Sequence, residues 1–161
     1  MSADGHGRLV IIISLCIAML LTILPMPDWA RPFRPQWVTL VLLYWAIALP
    51  HRIGVGSGFV VGIVLDVLTG TLLGQHALGL SVVTFIAIQL HQRIRVFPFW
   101  QQSLGILVLL VIERLLALWV TGATRGETPG LVYWTVPMIG ALLWPWIFVT
   151  LRSVRRQFEV S

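Results

Sequence analysis

Uncharged apolar runs, each long enough or nearly long enough to cross a bilayer, recur along the whole sequence. Residues 9–27 hold 19 residues without a charge between Arg8 and Asp28. A helix needs about 20 apolar residues to cross roughly 30 Å at about 1.5 Å per residue. Further runs are separated by short polar or proline-marked stretches such as Pro50-His51-Arg52 and Gly74-Gln75-His76. The pattern predicts an all-α membrane protein, a bundle of six transmembrane helices over residues 9–27, 34–50, 53–73, 74–91, 102–123 and 130–151. These form one integral membrane domain over residues 1–161. The second and fourth runs are short for a span. The runs lack the apolar–polar alternation of a membrane barrel and are twice a barrel strand's length.

Composition agrees. The chain is 58% hydrophobic and 11% charged, against about 45–50% apolar and about 25% charged in soluble domains. That excludes an ordinary soluble domain, a disordered chain and a disulfide scaffold. The lone Cys16 has no partner for an intrachain bridge. The first run ends in Pro-Met-Pro-Asp without a small-residue cleavage site, so it reads as a retained helix.

All 11 basic residues are arginine, and their placement is a topology signal. With six spans both termini share one side. That side then holds seven of them: Arg8, Arg52, Arg93, Arg95, Arg152, Arg155 and Arg156. The other side holds three: Arg31, Arg34 and Arg125. The positive-inside bias therefore puts both termini in the cytoplasm. The basic character, with a pI near 11.1, therefore serves mainly topology, with contact with anionic membrane lipid as a lesser reason for the arginines. The basic-aromatic stretch Arg93 to Trp100 reads as a membrane edge, and no nucleic acid is expected as a partner. Trp29, Trp37, Trp100 and Trp134 fall where indole rings favour the interface.

The third run holds the most informative spacing. Gly54, Gly58, Gly62, Asp66, Gly70 and Gly74 recur every four residues, along one slowly rotating helical ridge. Small residues there let a second backbone approach closely. The ridge serves either packing inside the bundle or docking of a partner's helix, with Gly54, Gly58, Gly62 and Asp66 as its key positions. Asp66 is costly inside a membrane if charged and unpaired. Glu113 and Arg114 lie at a similar expected depth in the fifth run. Adjacent residues point about 100° apart. Either Arg114 contacts Asp66 between the third and fifth helices, or Glu113 and Arg114 serve separate neighbours. The polar trio fixes helix register, meets a partner subunit, or marks a proton or substrate path.

Pro137 and Pro145 should bend or locally open the sixth helix. Catalytic constellations are missing. The Gly54–Gly58 stretch lacks the Lys-Ser/Thr of a phosphate loop, and no Ser sits in a nucleophile elbow. His6, His51, His76 and His91 fall in separate polar stretches, read as solvated or interfacial. No cofactor, metal or catalytic residue is expected.

Four blocks stand out: Phe33-Arg34-Pro35-Gln36-Trp37, Leu49-Pro50-His51-Arg52, Val55-Gly56-Ser57-Gly58-Phe59 with Leu65-Asp66, and Leu143-Trp144-Pro145-Trp146-Ile147-Phe148. Together they resemble the MreD family of rod shape-determining membrane proteins of Gram-negative bacteria. Arg34, Pro35, Trp37, Pro50, His51, Arg52, Trp144, Pro145 and Trp146 carry the resemblance. It covers nearly the whole chain and is weakest from Arg93 to Pro129, so no family role passes to Glu113 or Arg114. The resemblance implies a non-enzymatic inner-membrane scaffold of the elongasome, which builds side-wall peptidoglycan and the rod shape. MreC would be the direct partner, with RodA, a penicillin-binding transpeptidase, MreB and RodZ as further members. The family's helix arrangement is also similar to the S-components of energy-coupling-factor (ECF) transporters. A competing reading is therefore a small-molecule (vitamin)-binding subunit of such a transporter. An intramembrane enzyme would need a paired nucleophile and base, which the sequence does not offer.

Overall fold

The computed structural model describes residues 3–24, 27, 37–49, 53–70, 74–125 and 134–157. The described residues form six α-helices: α1 Ala3–Ile23, α2 Trp37–Ala48, α3 Val55–Thr69, α4 Gln75–Val96, α5 Phe99–Arg125 and α6 Thr135–Gln157. Three of them are long and apolar enough to cross a membrane: α4, the Phe99–Val120 part of α5, and α6. The shorter α2 and α3 have 12 and 15 residues, or about 18 and 22 Å of helix.

Local chemistry sets the helix ends. α1 stops two residues before Pro25 and α2 two residues before Pro50, as the clash ahead of a proline ring requires. α3 ends at Gly70, whose φ of 68° is left-handed. Glycine adopts that conformation without a Cβ penalty. Gly74, with φ of 101°, then starts α4. These two glycines continue the four-residue series in sequence but leave the helical ridge, so α3 is shorter than the expected 53–73.

Further boundaries depart from expectation: α1 starts at Ala3 rather than 9, α5 at Phe99 rather than 102, and α6 ends at Gln157 rather than 151. The fourth run is expected to end at residue 91, ahead of the basic membrane-edge stretch, yet α4 continues through that stretch to Val96. It ends because Phe97 precedes Pro98 and is extended, with φ −72° and ψ 145°. The Pro98 carbonyl then accepts the N–H groups of Gln101 and Gln102 and opens α5. α6 starts at Thr135 rather than 130, which puts Pro137 in the first turn, where its missing N–H has no helical partner to lose. Helix α6 also continues through Pro145 to Gln157. Pro145 therefore does not interrupt α6.

Helix α2 lies at the centre. Eleven of its twelve residues are buried, from Val38 to Ala48, and α1, α4 and α6 pack around it. An all-round apolar helix has no face to turn outward and belongs in an interior. The outer faces of the surrounding helices are also apolar: Ile12, Phe59, Val67, Leu104, Trp119, Leu142 and Trp146 are exposed. An apolar surface of this extent suits hydrocarbon rather than water.

The tightest approach is between α3 and α4. A Cβ built on Gly62 would lie 2.3 Å from the Ala77 Cα, and one on Gly58 would lie 2.9 Å from the Leu80 carbonyl oxygen. Gly56, on the open side of the same helix, would meet nothing within 4 Å. Gly62→Ala should therefore destabilise the purified protein by about 1–3 kcal/mol through forced separation of α3 from α4. Gly56→Ala should be neutral or stabilising by up to about 1 kcal/mol. Thermal unfolding in detergent compares the two. Equal stability of both variants would contradict this packing.

Candidate functional site

The polar side chains inside the bundle make a set of joints between helices. The first is built on Asp66, which is almost completely buried. One Asp66 carboxylate oxygen accepts the His76 N–H at 2.8 Å, and the other accepts the Gly74 N–H at 2.8 Å. The Ala77 N–H lies 3.5 Å from the second oxygen. These are first-turn donors of α4, which lack carbonyl partners within their own helix. Gly74 stands at the N-cap and has no side chain to satisfy them, so Asp66 supplies the capping carboxylate from α3. Its charge also suits the positive end of the α4 dipole.

Gly62 makes this possible. It lies one turn before Asp66, and its missing Cβ admits the backbone of His76 and Ala77. Gly58, one turn earlier still, faces Leu80 and Thr84. The ridge of Gly58, Gly62 and Asp66 thus tracks down α4 in the antiparallel sense. Gly54 lies apart from this contact: it is exposed at the N-cap of α3 and a Cβ there would meet nothing.

His76 completes the first joint. Its Nδ1 lies 2.7 Å from an Asp66 carboxylate oxygen, and its side chain is 23% exposed. The expectation of a merely solvated or interfacial His76 is corrected: its ring is held by a buried acid. The joint made by Asp66 runs to α4. The reason is local. An uncapped helix N-terminus ten residues away offers several fixed N–H donors at once.

Glu113 forms the second joint. It is buried, and its carboxylate accepts the Thr39 hydroxyl of α2 at 2.7 Å. Its stem lies against Gly79 of α4, where a Cβ would come within 2.9 Å of the Glu113 Cγ. His76 and Arg114 are both within electrostatic reach of this carboxylate. His76 and Gly79 are three residues apart on α4, so the two acids occupy neighbouring levels on either side of it. Arg114 is half-buried.

The remaining joints bind the ends of helices. Arg95, in the last turn of α4, donates to the Ile47 and Ala48 carbonyls at 2.9 and 2.6 Å. It caps the C-terminus of α2, where a cation suits the negative end of the dipole. Gln102 of α5 donates to the Ile94 carbonyl of α4 at 3.0 Å and accepts the Trp144 indole N–H of α6 at 3.2 Å. The Trp45 indole donates to Ser14 of α1 at 2.8 Å. Around Phe148 the rings of Tyr44, Phe99 and Trp144 meet, the first two edge-on.

Of the family-motif positions, Trp144 is fully buried, Pro145 half-buried and Trp146 exposed on the outer face. Trp37 opens α2, half-buried. Arg34, Pro35, Pro50, His51 and Arg52 lie outside the described residues. Sequence reasoning missed Thr39, His76, Gly79, Arg95 and Gln102 as joint makers. His76 had a visible signal, a Gly-Gln-His start to an apolar run with no capping side chain of its own. Thr39 and Gly79 had none, because their partners are distant in sequence.

Comparison with known proteins is decisive at this point. The sequence model of the family described as rod shape-determining protein MreD matches residues 4–154. The chain belongs to the MreD family. It is 34% identical over 148 residues to the rod shape-determining protein MreD of Haemophilus influenzae, covering 89% of each chain. Family membership supports a role in determining rod shape, as a membrane protein. No solved structure matches the chain, so the similarity to ECF transporter S-components rests on the sequence resemblance alone.

The Asp66 joint gives a direct test. Asp66→Ala leaves the Gly74 and His76 N–H groups unsatisfied in a buried place and should cost about 1–3 kcal/mol. Asp66→Asn keeps one acceptor oxygen and should cost less. Thermal unfolding in detergent orders the three proteins. An Ala variant as stable as the parent would show that the cap carries no weight.

Proposed function

We propose that the chain is a non-enzymatic scaffold of the bacterial elongasome in the inner membrane, supporting side-wall peptidoglycan synthesis by binding MreC directly. In this reading all six helices span or fill the membrane, and both termini lie in the cytoplasm, on the side of the arginine excess. RodA, a penicillin-binding transpeptidase, MreB and RodZ are reached through MreC.

One observation supports this reading above the others. Asp66, Glu113, Arg95, Gln102 and Ser14 are engaged in joints between the chain's own helices, while the outward faces are apolar. Such a molecule offers shape and hydrocarbon-facing surface to its surroundings, which is what a single membrane helix of a partner recognises. Gly58 and Gly62 take the internal alternative for the glycine ridge, since α4 occupies them. Their part in partner binding is indirect: they set the shape of the α3–α4 pair. Fixing register is likewise the role assigned to Asp66 and Glu113.

Tagged full-length chain purified in mild detergent from its own cells should bring MreC with it. Cells depleted of the chain should become round. A chain that restores rod shape yet recovers no MreC, even after chemical cross-linking in the membrane, would overturn direct binding. Rod-shaped growth without the chain would overturn the scaffold role itself.

A further inference from the structure

The outer face of α6 changes character along its length. Leu142, Val149, Arg152 and Arg156 are all exposed. At about 100° per residue these four fall within a band of about 80° on one side of the helix. The apolar part of the band therefore runs directly into two guanidinium groups. The distance from Leu142 to Arg152 is ten residues, about 15 Å of helix. That is half of a hydrocarbon core about 30 Å thick, the depth of one leaflet.

The two arginines are one turn apart, a spacing at which like charges repel. An anion between them removes that repulsion, and guanidinium pairs phosphate oxygens with strong charge-assisted hydrogen bonds. The backbone beneath is held in place. Leu151 is buried and Val154 packs against the core, which turns the opposite side of this last segment toward the bundle. Phe148, a turn before Leu151, packs edge-on against Tyr44 of the buried α2.

We propose that this face of α6 is a binding site for one anionic phospholipid, with the phosphate between Arg152 and Arg156 and an acyl chain along Val149 and Leu142. The match is of charge at one end and of length along the rest. The site is separate from the joints inside the bundle and does not depend on which protein the chain scaffolds.

The test uses the full-length chain in non-ionic detergent, titrated with dioleoyl phosphatidylglycerol, dioleoyl phosphatidylethanolamine or inorganic phosphate and followed by native mass spectrometry. Phosphatidylglycerol should bind most tightly. The double variant R152Q with R156Q should weaken it roughly thirtyfold, from about fivefold for each basic side chain at a membrane surface. The double variant R8Q with R93Q removes as much charge from exposed positions on α1 and α4 and should change binding less than about threefold. Leu142→Ser keeps both guanidiniums and should weaken the lipid but leave phosphate binding unaltered. Equal losses in the two arginine pairs would reduce the effect to diffuse attraction and overturn the site. Phosphatidylethanolamine bound as tightly as phosphatidylglycerol, or phosphate bound as tightly as either lipid, would also overturn it.

Discussion

The structure depends on the burial of a helix only twelve residues long. α2 is enclosed along nearly its whole length, and hydrophobic burial alone would let it rotate or slide among apolar neighbours of similar shape. Polar joints remove that freedom. Thr39 meets Glu113 of α5, Trp45 meets Ser14 of α1, and the terminal carbonyls of Ile47 and Ala48 meet Arg95 of α4. Each contact has one geometry, so together they fix both the rotation and the height of α2. In hydrocarbon a displaced partner would find no water, which raises the cost of every alternative register.

The α3–α4 pair applies the same logic through close approach. Glycine at 58 and 62 removes the volume that would hold the helices apart, and Asp66 then reaches the N-terminal turn of α4. Neither half works alone. Without the glycines the carboxylate would stand too far from its donors, and without the carboxylate the close-packed end of α4 would present bare N–H groups to a dry interior. His76 stabilises the same oxygen from its side chain. The α3–α4 pair, the Glu113 joint and the capped end of α2 are therefore coupled through α4, which carries His76, Gly79 and Arg95.

This economy bears on what a chain of the MreD family can do. Asp66, Glu113 and Gln102 hold its own helices, leaving among the described residues an outer surface whose information is mainly shape, apolar texture and a basic rim. A partner helix and a lipid read those same features. Placement of the rim follows from the interior: Leu151 and Val154 turn inward on α6, and Phe148 of the same helix meets Tyr44 of the buried α2. Changes in the polar interior should thus be felt at the surface through rotation of whole helices.

The sequence by itself determined the solvent, the helical class and the family, because a count of apolar residues and a few proline-tryptophan blocks are local properties. It also marked the ends of α1 and α2 through Pro25 and Pro50. It misplaced the end of α4, since the charges at Arg93 and Arg95 read as a membrane edge beyond the helix, whereas Arg95 lies in its last turn and caps another helix. It flagged Asp66 and Glu113 as costly without naming their partners. Tertiary structure decided those partners, which side of α3 the glycines face, and why Thr39, Gly79 and Gln102 matter. The physical reason is that helices apolar on every side carry no stripe to say which face turns inward. Only the simultaneous packing of all six, with each buried polar group seeking a donor or acceptor, selects one orientation.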